Sequence, residues 1–355
     1  MPKKTLKEIA QEANVSAAMV SQILNGTGRA SKDVRQKISA LLHENGYRPK
    51  IARYPFYYLV DLPYVESAGK TRNILQQLSG IERAFNEHNL TYHVEFIRTD
   101  PAVDQLKLIL ERKPSGVFIN TDARFLDEAC QMCATAGIPV VQIGYDTENP
   151  NYNAVVVDGF SGAYTGVKHL LQKGHTRIGI VRFLAGLAGV NSHKKFAGYT
   201  AALADAGLEV DKDLVREMAA TQGEPGWQPA RVLIQDLLAL SDPPTAVFVE
   251  NSFISLSLLY PLPSDDGQIP DSIKQLEFIH FEDWPLALAH DILSEKLFYP
   301  RFESRFICID WESIGVQAAQ LLIRQVNESS SLPEILRISP ALVQIKGNSR
   351  QPIIQ

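Results

Sequence analysis

Thr5-Leu6-Lys7-Glu8-Ile9-Ala10-Gln11-Glu12-Ala13-Asn14-Val15-Ser16-Ala17-Ala18-Met19-Val20-Ser21-Gln22-Ile23-Leu24-Asn25-Gly26 is the stretch on which the reading of this 355-residue chain turns. Leu6, Ile9, Ala10 and Ala13 fall at i, i+3, i+4 and i+7, the apolar stripe of a short helix. Asn14-Val15 interrupts the stripe, and Ser16 is a natural N-cap for a second helix whose apolar face is Val20, Ile23 and Leu24. Asn25-Gly26 stops it. Ser31 can cap a third helix, with Val34, Ile38, Leu41 and Leu42 inward, ending at Asn45-Gly46. Three short helices with a tight turn between the first two predict a helix-turn-helix module, in which the exposed start of the second helix meets base edges. The expected contact residues there are Ser16, Ala17, Ala18, Met19, Ser21 and Gln22. Thr5, Asn25, Arg29, Ser31 and Lys32 complete the DNA-binding set, Lys32 as a phosphate contact. A three-helix bundle that binds protein shares the same pattern.

Charge favours the DNA-binding reading and leaves the other open. Residues 1–53 hold ten lysines and arginines against four acids, a surplus of six, so the remainder carries −11 within a net charge of −5. A basic head on an acidic body points to a polyanionic partner for the head alone. At 45% hydrophobic and 21% charged residues the chain has globular composition. No apolar run reaches the roughly 18 residues of a membrane span. Met1 to Glu8 has no signal-peptide core, and three cysteines make no disulfide framework, so a cytoplasmic protein is expected.

From residue 56 onward strand and helix patterns alternate. Strand candidates are Phe56–Leu62, Tyr92–Ile97, Gly116–Ile119, Val140–Ile143, Ala154–Val157, Ile178–Val181, Ala246–Val249, Leu276–Phe281 and Phe306–Ile309. Helical stretches such as Arg72–Asn89, Asp104–Arg112, Gly162–Lys173, His193–Ala206, Pro229–Ala239 and Ser313–Val326 lie between them. Such alternation predicts parallel sheets covered on both faces, here in two similar lobes, with a ligand beyond the strand C-termini, in the cleft between the lobes.

The motifs Thr5-Leu6-Lys7-Glu8-Ile9-Ala10, Asn14-Val15-Ser16, Val20-Ser21, Leu24-Asn25 and Gly46-Tyr47-Arg48-Pro49 resemble the headpiece of the LacI/GalR family of bacterial transcription regulators. The resemblance continues through Gly80-Ile81-Glu82, Gly137-Ile138-Pro139, Val155-Val156-Val157-Asp158, His169-Leu170-Leu171, Gly174-His175-Thr176-Arg177-Ile178 and Pro244-Thr245-Ala246. It implies an all-α helix-turn-helix headpiece joined to a two-lobed α/β body of the type I periplasmic-binding-protein kind. The expected division is 1–48 for the headpiece, 49–56 for a short linker and 57–347 for the effector and dimerisation domain. Its N-lobe would take about 57–171 and 289–323, its C-lobe about 172–288 and 324–347. The implied partners are double-stranded operator DNA, a sugar-like effector and a second copy of the chain, with the apolar helix around Ile74, Leu75 and Leu78 in the dimer interface. No cofactor, metal, membrane or enzymatic activity is expected, and no C-terminal coiled coil follows Lys346.

Three departures from the family pattern stand out. In the linker Ala52-Arg53 look like the remnant of a hinge helix, but proline stands where a minor-groove leucine is usual, so no stable hinge helix is expected. Ile51, Ala52 and Tyr54 are the linker residues nearest a minor groove, with Ile51 or Tyr54 as the alternative wedge. Gln22 stands where arginine is frequent, which suits adenine rather than guanine. The effector residues implied are Asp158, Lys195 in place of a forked arginine, Asn251, Ser252 in place of an aspartate, and Glu282. The remaining signals are weaker. Cys130-Gln131-Met132-Cys133 lies on one helix face and reads as buried structural cysteines. Gly69-Lys70-Thr71 lacks the glycine at position 64 that a phosphate loop needs. Trp227, Trp284 and Trp311 read as core or cleft wall, and His175 as a hydrogen-bonding turn residue. A solute-binding protein is the alternative, as is a regulator that has lost its ligand.

Overall fold

The first three helices are each opened by the hydroxyl the sequence offers. In the computed structural model, residues 4–24, 30–45, 47, 55–61, 70–88, 90–98, 102–120, 123–144, 151–184, 187–218, 230–258, 271–282, 305–327, 332–346 and 349–353 are described. Helix α1 (Leu6–Ala13) carries a capping box: Thr5 Oγ1 accepts from the Glu8 N–H at 3.3 Å, and Glu8 Oε2 accepts from the Thr5 N–H at 2.6 Å. Asn14 ends it in the left-handed region at φ 58°, its N–H donating to the Ala10 and Gln11 carbonyls. Ser16 caps α2 (Ala17–Leu24) by accepting from the Met19 N–H at 3.1 Å, and Ser31 caps α3 (Lys32–Glu44) from the Val34 N–H at 3.4 Å. Ile9, Ala10, Ala13, Val20, Ile23, Leu24, Ile38 and Leu42 form one closed core. A unit of about 45 residues with its own core and caps is a module in its own right.

Beyond it the elements run β1 (Phe56–Asp61), α4 (Lys70–His88), β2 (Tyr92–Ile97), α5 (Ala102–Glu111), β3 (Val117–Asn120), α6 (Ala123–Thr135), β4 (Val140–Gly144), β5 (Asn153–Val157), α7 (Gly159–Gln172), β6 (Ile178–Phe183), α8 (Leu187–Asp205) and β7 (Val215–Met218). Then come α9 (Ala230–Leu238), β8 (Ala246–Val249), α10 (Ser252–Ser257), α11 (Asp271–Lys274), β9 (Glu277–Phe281), β10 (Arg305–Cys308), α12 (Trp311–Asn327), β11 (Ile335–Ile338), β12 (Ala341–Lys346) and β13 (Ser349–Pro352). Among the described residues the strands form two sheets, ordered β11-β5-β4-β3-β1-β2 and β13-β12-β10-β9-β8-β6-β7. In the first, β1 runs parallel to β2 and β3, and β3 parallel to β4. The strand residues of β3 and β4 are all buried, as continuous apolar runs in a two-sided parallel sheet must be.

The expectation of purely parallel sheets fails at one edge. In the second sheet β6 to β10 pair in parallel, but β12 runs antiparallel to β10, and β13 antiparallel to β12. Only Gly347 and Asn348 separate β12 from β13, far too few for a parallel crossover. These strands and β11 escape an apolar-run reading, and so does β7, because Val215-Arg216-Glu217-Met218 is half charged and sits at the sheet edge.

By its contacts the chain divides into one unit of residues 1–144, 148–155 and 311–336, and another of 145–147, 156–310 and 337–355. Apart from the short excursion at 145–147, the crossings therefore fall at 155/156, 310/311 and 336/337, where 171, 288 and 323 were expected. The reason is packing: α7 lies on α8 and on the second sheet, with Gly162 against Phe281 and Ile307, while α12 lies on α4. In the first unit Ile74 is 4% exposed and belongs to the interior, so of the three residues expected in the dimer interface only Leu75, at 61%, is prominently exposed. The linker residues 49–54 lie outside the described residues.

Candidate nucleic-acid interface and effector site

Helix α2 leaves the small and polar residues of its first two turns outward. Ala17, Ala18 and Gln22 are exposed, and Ala18 and Gln22, four apart, share a face. Ser16 is exposed too, its hydroxyl engaged in the cap. Met19, expected among the base contacts, is half-buried against the headpiece core, and Ser21 is half-buried as well. Thr5 and Ser31 serve first as caps of their own helices. Asn25, Arg29, the side chain of Lys32, and the linker residues Ile51, Ala52 and Tyr54 lie outside the described residues. What remains on α2 is two methyls and one amide facing out, small and polar groups of the kind that meet base edges in a major groove.

The expected effector residues all fall in the second unit: Asn251 and Ser252 just after β8, Glu282 just after β9, Asp158 just after β5 of the first sheet, and Lys195 on α8. Asp158 caps α7, accepting from the Ser161 N–H at 2.9 Å, and its own N–H donates to the Ile338 carbonyl at 3.0 Å. Asn251 caps α10 by accepting from the Ile254 N–H at 2.9 Å. Ser252 donates to Glu282 Oε2 at 2.6 Å, and Glu282 holds a left-handed φ of 75° just after β9. Lys195 is 8% exposed: its Nζ donates to the Glu250 backbone carbonyl at 2.9 Å and lies 4.0 Å from the centre of the Phe281 ring. Burial pulls its pKa below the usual lysine value, against the opposing pull of Glu282 and Glu250. Gly159 lies against the Lys195 stem, so Asp158 and Lys195 sit on adjacent elements, but no hydrogen bond joins them among the described residues. Lys195 is thus a tethered cation, where the family resemblance implied one facing a ligand.

A buried charge network beneath this site was not anticipated. Glu250 is 1% exposed and accepts from Ser192 Oγ at 2.8 Å and the Phe183 N–H at 3.3 Å. Arg182, with 8% of its side chain exposed, donates to Ser192 Oγ and to Glu217 Oε1, both at 3.1 Å, and stacks on Phe196 at 4.2 Å. Burial pushes the Glu250 carboxyl above the usual carboxylate range despite the charges of Lys195 and Arg182. The sequence signal was present: a lone arginine inside the apolar run Ile178–Phe183, and a glutamate directly after Ala246–Val249.

The minor signals settle simply. His175 bridges Thr245 Oγ1 at 2.8 Å and Glu277 Oε2 at 3.1 Å, a turn hydrogen-bonder as read. Lys173 and Arg305 also bind Glu277. Burial raises that carboxyl, but these partners outweigh it and hold it below the ordinary range. Cys130 and Cys133 are buried in the first unit, and burial pushes Cys133 up to about 12, so both remain protonated core thiols. Trp311 is core at 5% exposure, while Trp227 and Trp284 lie outside the described residues. Among the described residues no helix is long and apolar enough to cross a membrane, and no three metal-ligating side chains cluster.

Comparison with known proteins agrees with this geometry. Residues 5–50 match the profile of "Bacterial regulatory proteins, lacI family", and residues 74–260 that of "Periplasmic binding proteins and sugar binding domain of LacI family". The HTH-type transcriptional repressor PurR of Mannheimia succiniciproducens is 22% identical over 343 residues, covering 96% of this chain and 97% of its own. The HTH-type transcriptional regulator DegA of Bacillus subtilis is 24% identical over 293 residues, 78% of this chain and 81% of its own. Among solved structures, the transcriptional regulator CelR in its cellobiose complex superposes with a TM-score of 0.61 at 21% identity, covering 96% of this chain and 99% of its own. The Lac repressor dimer bound to operator and the anti-inducer ONPF gives 0.58 at 16% identity, with 98% of both chains covered. The two profiles match in chain order, and the second alone spans more than half of the residues. The chain belongs to the LacI family of bacterial regulatory proteins.

Proposed function

We propose that the chain is a sequence-specific DNA-binding transcriptional regulator of the cytoplasm, acting as a repressor and not as an enzyme. It binds double-stranded operator DNA as a homodimer through residues 1–48, and a small, sugar-like molecule held by the second unit modulates that binding. Support for the DNA reading comes from one observation above all: a three-helix module with its own core and a cap at each helix start that presents Ala17, Ala18 and Gln22 outward on a basic head. Support for the effector comes from Asp158 and Glu282, two half-buried carboxylates at the strand ends, each with one oxygen in an internal hydrogen bond. Both can accept hydroxyl protons of a ligand. The effector acts by linkage: it changes DNA affinity by no more than its preference for one of two states.

Replacing exposed Ala18 with glutamate tests the DNA assignment cleanly. A carboxylate in the first turn of a helix suits the helix dipole, so the fold is expected to hold. Facing phosphates and base edges it is expected to weaken DNA binding by about 100-fold, the order of two lost contacts of about 1–3 kcal/mol each. Fluorescence anisotropy against salt concentration reads both terms, because phosphate contacts give the wild type a steep negative salt slope. A wild type with no salt-dependent binding, or an Ala18→Glu protein binding as well as wild type, contradicts the assignment.

A further inference from the structure

We propose that the second unit carries a second ligand site, a groove along its edge strand β7 that takes an organic monoanion with an apolar body. The groove encloses about 730 Å³. That lies within the range of about 300–1,000 Å³ usual for small-molecule sites. None of Asp158, Lys195, Asn251, Ser252 and Glu282 lines it. It is therefore distinct from the effector residues described above.

Its walls explain the apolar half of the ligand. Val210, Val215 and Leu233 line it, from the segment before the 3-10 turn Lys212–Leu214, from β7, and from α9. They converge there because β7 ends the sheet order, so helices of both faces meet around its edge. An acyl chain or small ring finds contact on these three residues, beside the polar and charged side chains that share the walls.

The charged half follows from Arg182. It stands at the inner end of the groove, with its side chain 8% exposed and its guanidinium clamped over Phe196 at 4.2 Å. Among the described residues its Nε has no hydrogen-bond partner, but it is buried and faces Glu250 Oε2 at 3.8 Å, so that carboxylate already balances part of its charge. The guanidinium can therefore offer an incoming anion only the nitrogen that leans toward solvent. Nη1 is held by Glu217 at 3.1 Å, but the Glu217 side chain is 45% exposed, so that bond faces solvent and is exchangeable. Lys212 and Arg216 add two cations to the lining, against Glu217 and Asp236. Lys212 is exposed, and Arg216 spends Nη1 on the Asp213 and Val215 carbonyls at 2.8 and 3.0 Å. One deep cation with two near the surface matches a single carboxylate, and a doubly charged group would leave its second charge without a deep partner.

Isothermal titration of the full-length protein with hexanoate and with neutral hexanamide decides the matter. Hexanoate is expected to bind saturably and at least ten-fold more tightly than hexanamide. Lys212→Glu, a change at an exposed position, is expected to weaken hexanoate several-fold, and Thr200→Trp, which fills the groove, to abolish it. Circular dichroism confirms that each variant is folded, and Lys212→Glu keeps the test decisive where the larger change disturbs α8. Equal binding of acid and amide overturns the proposal, as does the absence of saturable hexanoate binding or hexanoate affinity unchanged in both variants. The readout needs neither DNA nor an effector, so its failure leaves the assignment as a DNA-binding regulator standing.

Discussion

Glu250→Leu is expected to destabilise the second unit by about 3–5 kcal/mol, because it strips a buried arginine of its inner counter-charge. Arg182 would keep only Glu217 at the solvent side and Ser192, with most of its guanidinium desolvated. The change also removes the acceptor of the Ser192 hydroxyl and of the Phe183 N–H. The double variant Glu250→Leu/Arg182→Met is expected to regain most of that loss, since apolar groups of similar volume replace a buried ion pair at little or no cost. Urea denaturation of the four proteins in the cycle gives the coupling between the two residues. A double variant that is merely the sum of the two single losses contradicts the pairing.

The second large effect is steric. Helices α4 and α12 cross with two glycines in reciprocal contact. A Cβ on Gly80 would lie 2.0 Å from the Glu312 carbonyl oxygen, and one on Gly315 would lie 2.1 Å from the Gln77 carbonyl oxygen. Neither neighbour is a side chain that can swing aside, so Gly80→Ala must push the helix backbones away from each other. The expected loss is about 3 kcal/mol from overpacking, of which improved helix propensity returns about 1. Gly137 is the control. It holds a φ of 67° with nothing near its missing Cβ, so Gly137→Ala carries backbone strain alone, about 1–2 kcal/mol. Thermal unfolding should show a net loss of about 2 kcal/mol for Gly80→Ala, at or above that of the control; a Gly80→Ala protein of wild-type stability means the crossing is looser than described.

What was legible in the sequence follows the reach of each physical signal. Capping and helical periodicity are local, so Thr5, Asn14, Ser16 and Ser31 mark the headpiece helices within a residue of where they form. Val140–Ile143 and Ala246–Val249 are legible because buried parallel strands are continuous, mostly apolar runs. The edge strands β7, β11 and β13 are not, since an edge is half wet and needs no such run. The unit boundaries were displaced because they depend on which helix α7 and α12 pack against, a long-range fact that no window of sequence contains. The five expected effector residues fall in one unit, but the setting of Lys195 could not be read from its neighbours. Its tether is the backbone carbonyl of Glu250, fifty-five residues away.

The central claim is that α2 reads base edges through Ala17, Ala18 and Gln22. Selection of bound sites from a random double-stranded DNA pool, with the full-length wild type and with Gln22→Arg, tests it most directly. The wild type should return a two-fold symmetric consensus, because two headpieces bind two half-sites. Gln22→Arg should change that consensus at one position in each half-site, from adenine to guanine, and leave the others as they were. An identical consensus from both proteins, or no consensus from the wild type, would contradict the assignment of α2 as the reading helix.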